Sequence, residues 1–95
     1  MVNEQDLRFI IDRNGHIIQH FVALEELSEL SKEITKWLRG KGDEDALFEE
    51  LADVQVMIDQ IMIMHSISPE QLEIMEKEKL QRTIDRILGG EKDAD

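Results

Sequence analysis

The sequence predicts an all-α protein, a helix bundle of about four helices that oligomerises through its long helices. Three observations lead there. Apolar residues recur at three- and four-residue spacing along most of the chain. The single proline and the five glycines fall mostly where those periodic stretches end. No run alternates apolar and polar residues between turn signals at both ends, as a half-buried strand would.

The first helix is expected from about Asn3 to Arg13, with Leu7, Ile10 and Ile11 at helical spacing and Asn14-Gly15 as its stop. A second runs from about His16 to Arg39 and ends at Gly40. Lys36 and Arg39 in its last turn suit the negative end of the helix dipole. GKGDED at 40–45 reads as a polar loop in which Asp43 or Asp45 caps a third helix, which continues to about His65. Ser68-Pro69-Glu70-Gln71 announces the fourth: serine at the cap, proline in the first turn and glutamine closing a capping box. That helix is expected to stop at Gly89-Gly90 and leave 89–95 as a frayed tail.

With 95 residues, the chain forms a single domain spanning 1–95. A domain this small buries only about 60–65% of its unfolded surface, so a partner copy is a natural way to complete its core. There is no cysteine, which excludes disulfides and thiolate metal sites. No apolar stretch approaches the ~20 residues of a membrane span, and MVNEQDLRF lacks the features of a signal peptide. A cytoplasmic location is therefore expected, with no membrane partner. The balance of 22 acidic to 11 basic residues, formally -11, opposes binding to a nucleic-acid polymer, which needs a cationic footprint. It does not oppose a nucleotide held through a metal ion, whose charge inverts the local electrostatics.

Helical wheels bring out the chemistry. In the second helix Val22, Ala23, Leu27, Leu30, Ile34 and Trp37 mark the apolar side. Glu26 and Glu29 point within it, with Glu33 beside them, while Glu25 projects toward Lys32 and Lys36. In the third helix the stripe is Leu47, Leu51, Val54, Ile58 and Ile61, with Glu50 and Asp53 along its edge. Each long helix thus offers two carboxylates three residues apart, neighbours on one surface. A single such pair is common on a solvated helix face. Two pairs on the apolar sides of two long helices, with few lysines or arginines among them, call for a compensating cation. All-oxygen ligation selects a hard ion: Mg²⁺, Mn²⁺ or Ca²⁺.

Glu25-Glu26-Leu27-Ser28-Glu29, followed by Glu50-Leu51-Ala52-Asp53, resembles the EExxE…ExxD signature of the MazG-like nucleotide pyrophosphohydrolases of the all-α NTP pyrophosphatase superfamily. Gly15 and Gln19 stand upstream in a GxxxQ arrangement similar to that of many such proteins. EELADVQVMIDQI looks like the family's third-helix segment, and the Lys79, Arg82, Arg86 region like its basic C-terminal helix, so the resemblance spans about 15–88. It implies Mg²⁺ (with Mn²⁺ able to substitute) held by Glu26, Glu29, Glu50 and Asp53, and cleavage of a nucleoside triphosphate between its α and β phosphates to the monophosphate and pyrophosphate. It also implies a homodimer or homotetramer and a role in the nucleotide pool, either housecleaning of noncanonical nucleotides or control of the ordinary ones. Glu25 or Glu33 would serve as catalytic base. Lys79, Arg82 and Arg86 would contact the triphosphate, Gln19 a base edge, and Trp37 a base face by stacking.

Plainer roles compete: Gln19 as a core-edge amide, Trp37 as core, the three cations as solvated surface. Met57, Met62 and Met64 read as packing. His16, His20 and His65 form no ligand spacing and read as surface or boundary residues. A di-iron carboxylate bundle would need Glu-x-x-His pairs, whereas Glu29 and Asp53 occupy those positions. The alternative to an enzyme is a catalytically weak or inactive helical metal-binding or interaction module of the same fold.

Overall fold

The computed structural model describes residues 2–93, with side chains described as far as Gly89. It is all-helical: α1 (Glu4–Asn14), α2 (His16–Leu38), α3 (Glu44–Met64) and α4 (Pro69–Asp93). Among the described residues there is no strand, and no helix is long and apolar enough to cross a membrane.

The helix ends follow from capping chemistry. Asn3 accepts hydrogen bonds from the amides of Gln5 and Asp6 at the start of α1, and Asp43 accepts from Asp45 N at the start of α3. The capping box forms in both directions: Gln71 N donates to Ser68 Oγ at 3.1 Å and Ser68 N to Gln71 Oε1 at 2.8 Å. Between α1 and α2 the chain turns at Gly15, whose φ of 94° lies where a side chain would be strained. Gly42 is required for a different reason: a Cβ there would come within 2.7 Å of Trp37 Cα. One helix end departs from expectation. α4 does not stop at Gly89-Gly90 but continues to Asp93. Glycine lowers helix propensity by only about 1 kcal/mol, and without a left-handed turn or a following proline it need not end a helix. Residues 94–95 of the expected tail lie outside the described residues.

α2 and α3 pack along their length as an antiparallel pair, and α1 lies across both through Leu7 and Ile11. The apolar core is small: Leu7, Ile11, Ala23, Val54, Met57 and Met62. A polar chain runs through it. Asn14 Nδ2 donates to Gln19 Oε1 at 2.9 Å, and Gln19 Nε2 donates to Gln60 Oε1 at 2.7 Å. Gln19 and Gln60 are each only 2% exposed. One network therefore ties α1, α2 and α3 together.

The buried face of α2 is rotated from the expected one. Ala23 is buried and Glu26, Leu30 and Glu33 are half-buried, whereas Leu27, Ile34 and Trp37 are exposed. On α3, Val54 and Met57 are buried while Leu51 and Ile58 face outward. Both helices carry apolar residues on two sides, and the chain covers only one side of each. α4 touches the rest through its first turns, around Pro69 and Leu72, and every residue from 73 to 88 is exposed. The molecule is accordingly elongated, 52 × 37 × 21 Å.

Gln60→Leu leaves the buried Gln19 amide without its acceptor and is expected to cost about 1–3 kcal/mol. Urea unfolding at fixed protein concentration measures this. The Gln19→Leu/Gln60→Leu double variant should cost less than the sum of the two singles, because both remove the same bond.

Candidate functional site

α2 supplies Glu26 and α3 supplies Glu50 and Asp53. One carboxylate oxygen from each lies within 4.8 Å of the others. Two-helix geometry explains the meeting. Glu26 follows Ala23 on the face of α2 turned toward α3, and Glu50 and Asp53 are successive neighbours at i and i+3 on α3. Glu26 and Glu50 are half-buried and Asp53 is exposed, so the cluster sits at the mouth of the seam.

The electrostatics are those of crowded like charges. Desolvation holds the Glu26 carboxyl above its ordinary range. The charges of Asp53 and Glu50, a hydrogen bond shared with Asp53 and the charge of Glu29 add to the effect. Glu50 is pushed up as well, first by desolvation and then by Asp53, Glu29, Glu33 and Glu49. Glu50 Oε2 is shut off from solvent and meets no hydrogen-bond donor among the described residues. No lysine or arginine pairs with Glu26, Glu50 or Asp53 among the described residues. Three convergent carboxylates with one orphaned oxygen form a donor set of the kind that hard divalent cations take.

The remaining candidate residues divide by position. Glu29 adds to the field at both raised carboxyls but pairs with Lys32 at 3.5 Å, on the exposed flank. Glu33 is half-buried, contributes to the field at Glu50 and pairs with Lys36 at 3.3 Å. Glu25 is exposed on α2 and, with Glu29, lines an open apolar groove formed with Ile18, Phe21 and Val22. The Gln19 amide is buried in the core, its oxygen accepting from Asn14 and its nitrogen donating to Gln60. Trp37 is exposed at the far end of α2, against Gly42. Lys79, Arg82 and Arg86 are exposed on α4, with Lys79 flanking an apolar groove that contains Leu72, Met75 and Leu80.

A contact between His20 and His65 escaped the sequence reading. Their Nε2 atoms lie 2.9 Å apart. Forty-five positions separate the two residues, so only the docking of α2 on α3 brings them together.

The raised carboxyls set a pH dependence. Between the ordinary value of 4.5 and the raised folded values, the native state holds protons that the unfolded chain has released. The contribution of these two carboxyls to the stability of the cation-free protein is therefore greatest at or below that window and falls as pH rises through it. Thermal unfolding from pH 4.5 to 8 in chelator should show the decline. Glu26→Gln and Glu50→Gln should each flatten it and raise the melting temperature at pH 8. A melting temperature that climbs steadily to pH 8 would contradict the assignment.

No family model, curated protein or solved structure matches this chain.

Proposed function

We propose that the protein is a Mg²⁺-dependent nucleoside triphosphate pyrophosphohydrolase, cleaving (d)NTPs between the α and β phosphates to (d)NMP and pyrophosphate. The observation that carries this reading is the convergence of Glu26, Glu50 and Asp53 from two helices, with no lysine or arginine paired to them and one buried oxygen unpartnered among the described residues. The EExxE…ExxD order of these residues, which resembles the MazG-like signature, turns a cation site into a nucleotide reading.

The donors fit the ion: all are carboxylate oxygens, which suit Mg²⁺ or Mn²⁺ over softer metals. Glu26, Glu50 and Asp53 would hold it, with Glu29 nearby as a fourth acidic group. Bound there, the metal would neutralise phosphate charge and lower the pKa of a water molecule. The chain's own groups supply the rest. Glu33, half-buried beside Glu50, is better situated than Glu25 to orient a water or accept its proton.

The cations of α4 are exposed and the helix projects from its own bundle, so Lys79, Arg82 and Arg86 would serve a triphosphate only in an assembly of copies. Exposed apolar residues support such an assembly, a homodimer or homotetramer. Ile17, Ile18, Phe21 and Leu24 on α2 and Leu80, Ile84 and Ile87 on α4 are more than a single chain can leave to water at little cost. Housecleaning of the nucleotide pool in the cytoplasm is the role that accords with this chemistry.

Product analysis on a panel of (d)NTPs with Mg²⁺ tests the reading. Wild type should release pyrophosphate and monophosphate, and Glu50→Gln should lower the rate by about 10²-fold or more, about 2.7 kcal/mol of transition-state stabilisation. Orthophosphate as the product would refute cleavage at the α–β bond. Metal binding without turnover on any nucleotide would favour the interaction module, which the open apolar faces also suit.

A further inference from the structure

His20 and His65 meet at the opposite end of the α2–α3 seam from the loop that joins the two helices. His20 Nδ1 lies 2.6 Å from the carbonyl oxygen of His16, one turn earlier. A carbonyl can only accept, so Nδ1 carries the proton there and Nε2 of the neutral ring presents a lone pair. That lone pair faces His65 Nε2 at 2.9 Å, with the rings edge to face at 88° and their centroids 5.1 Å apart. A single proton, on His65 Nε2, completes the contact.

One ring of the pair, His20, is oriented as histidine metal ligands commonly are. The ring nitrogen of His20 remote from the contact is fixed by a backbone carbonyl, one of the partners that set tautomer and ring orientation in metal-bound histidine. With metal–nitrogen bonds of about 2.0–2.1 Å, a nitrogen separation of 2.9 Å corresponds to an angle of about 90° at the metal. A tetrahedral ion would need the nitrogens about 3.3 Å apart. The spacing therefore suits octahedral or square-planar ions. His65 is exposed and His20 half-buried, so an ion can enter and complete its shell with water. His65 is also the C-cap of α3, where the negative end of the helix dipole favours a cation. The pair is distinct from the carboxylate cluster. His20 precedes Glu26 by six residues and His65 follows Asp53 by twelve, roughly 9 and 18 Å along their helices.

We propose that His20 and His65 form a two-imidazole site for a divalent transition metal, Ni²⁺ or Cu²⁺ in preference to Zn²⁺, that staples the start of α2 to the end of α3. The metal takes the place of the shared proton, which is released to solvent, and Nδ1 of His20 keeps its bond to the His16 carbonyl.

The test is Ni²⁺ titration of the untagged full-length chain in excess Mg²⁺, which occupies any carboxylate site. It is followed by calorimetry and by NMR of the histidine ring protons. One Ni²⁺ should bind per chain, and the paramagnetic ion should broaden the His20 and His65 signals before all others. His20→Gln and His65→Gln should each weaken binding on the order of 10-fold or more. Glu50→Gln should not, and neither should His16→Gln, since only the backbone of that residue is used. Loss of binding in His16→Gln with retention in His65→Gln would overturn the proposal in favour of a chelate within α2. Loss only in Glu50→Gln, or first broadening at signals other than His20 and His65, would overturn it in favour of the carboxylates. The NMR arm uses the wild-type chain and stands even if a histidine variant fails to fold. Tighter binding of Zn²⁺ than of Ni²⁺ would overturn the stated preference.

Discussion

The register between α2 and α3 is the constraint on which everything else depends, and the buried Gln19–Gln60 hydrogen bond sets it. Gln19 and Glu26 are seven residues apart on α2, and Asp53 and Gln60 are seven apart on α3. In an antiparallel pair, a lock between the two glutamines carries Glu26 opposite Asp53, two turns along each helix. A purely apolar seam could slide by a turn at modest loss, because Val, Leu and Met side chains fill one another's places. A buried amide that must find its acceptor cannot. The same lock engages α1 through Asn14, so the one helix that closes the core is fixed by the bond that also aligns the carboxylates.

The seam balances opposed terms. Half-buried carboxylates gathered from both helices are unfavourable to docking, and the raised Glu26 and Glu50 record that cost. Opposing it are six buried apolar side chains, the amide chain and the helix caps, a small set for so long a molecule. Here the cluster has been allowed to cost stability at the place where two rigid helices hold it best, a pattern expected of sites rather than of scaffolding. The apolar residues that might have enlarged the core are spent on the outer faces instead.

Much of this was legible in the sequence, for identifiable reasons. Helix ends at Asn3, Gly15, Asp43 and Ser68 are governed by capping, which is local, and they stand within a residue or two of expectation. The meeting of Glu26, Glu50 and Asp53 was also visible, because periodicity places whole faces, but Glu29, expected with them, stands outside the cluster and pairs with Lys32. What periodicity could not give was which apolar face turns inward. α2 has apolar residues nearly all round, so a wheel that grouped Leu27, Ile34 and Trp37 with Ala23 and Leu30 was as good as one turned toward Gln19 and Glu26. The choice was made by polar residues, Gln19 and Gln60, whose pairing is long-range. The same blindness hid the His20–His65 contact. Gly89-Gly90 shows the converse error: a local stop signal that nothing in the surrounding geometry enforces.

The orphaned oxygen of Glu50 has a thermodynamic corollary. A carboxyl held above its ordinary range by desolvation and neighbouring charge must, wherever it is protonated, give up that proton to a cation that takes its place. In the pH range where Glu26 or Glu50 is protonated, an ion entering the cluster would displace hydrogen ions, and the apparent heat of its binding would vary with the ionisation enthalpy of the buffer. The number of protons released, read from that variation, would count how many of the clustered carboxyls were neutral beforehand.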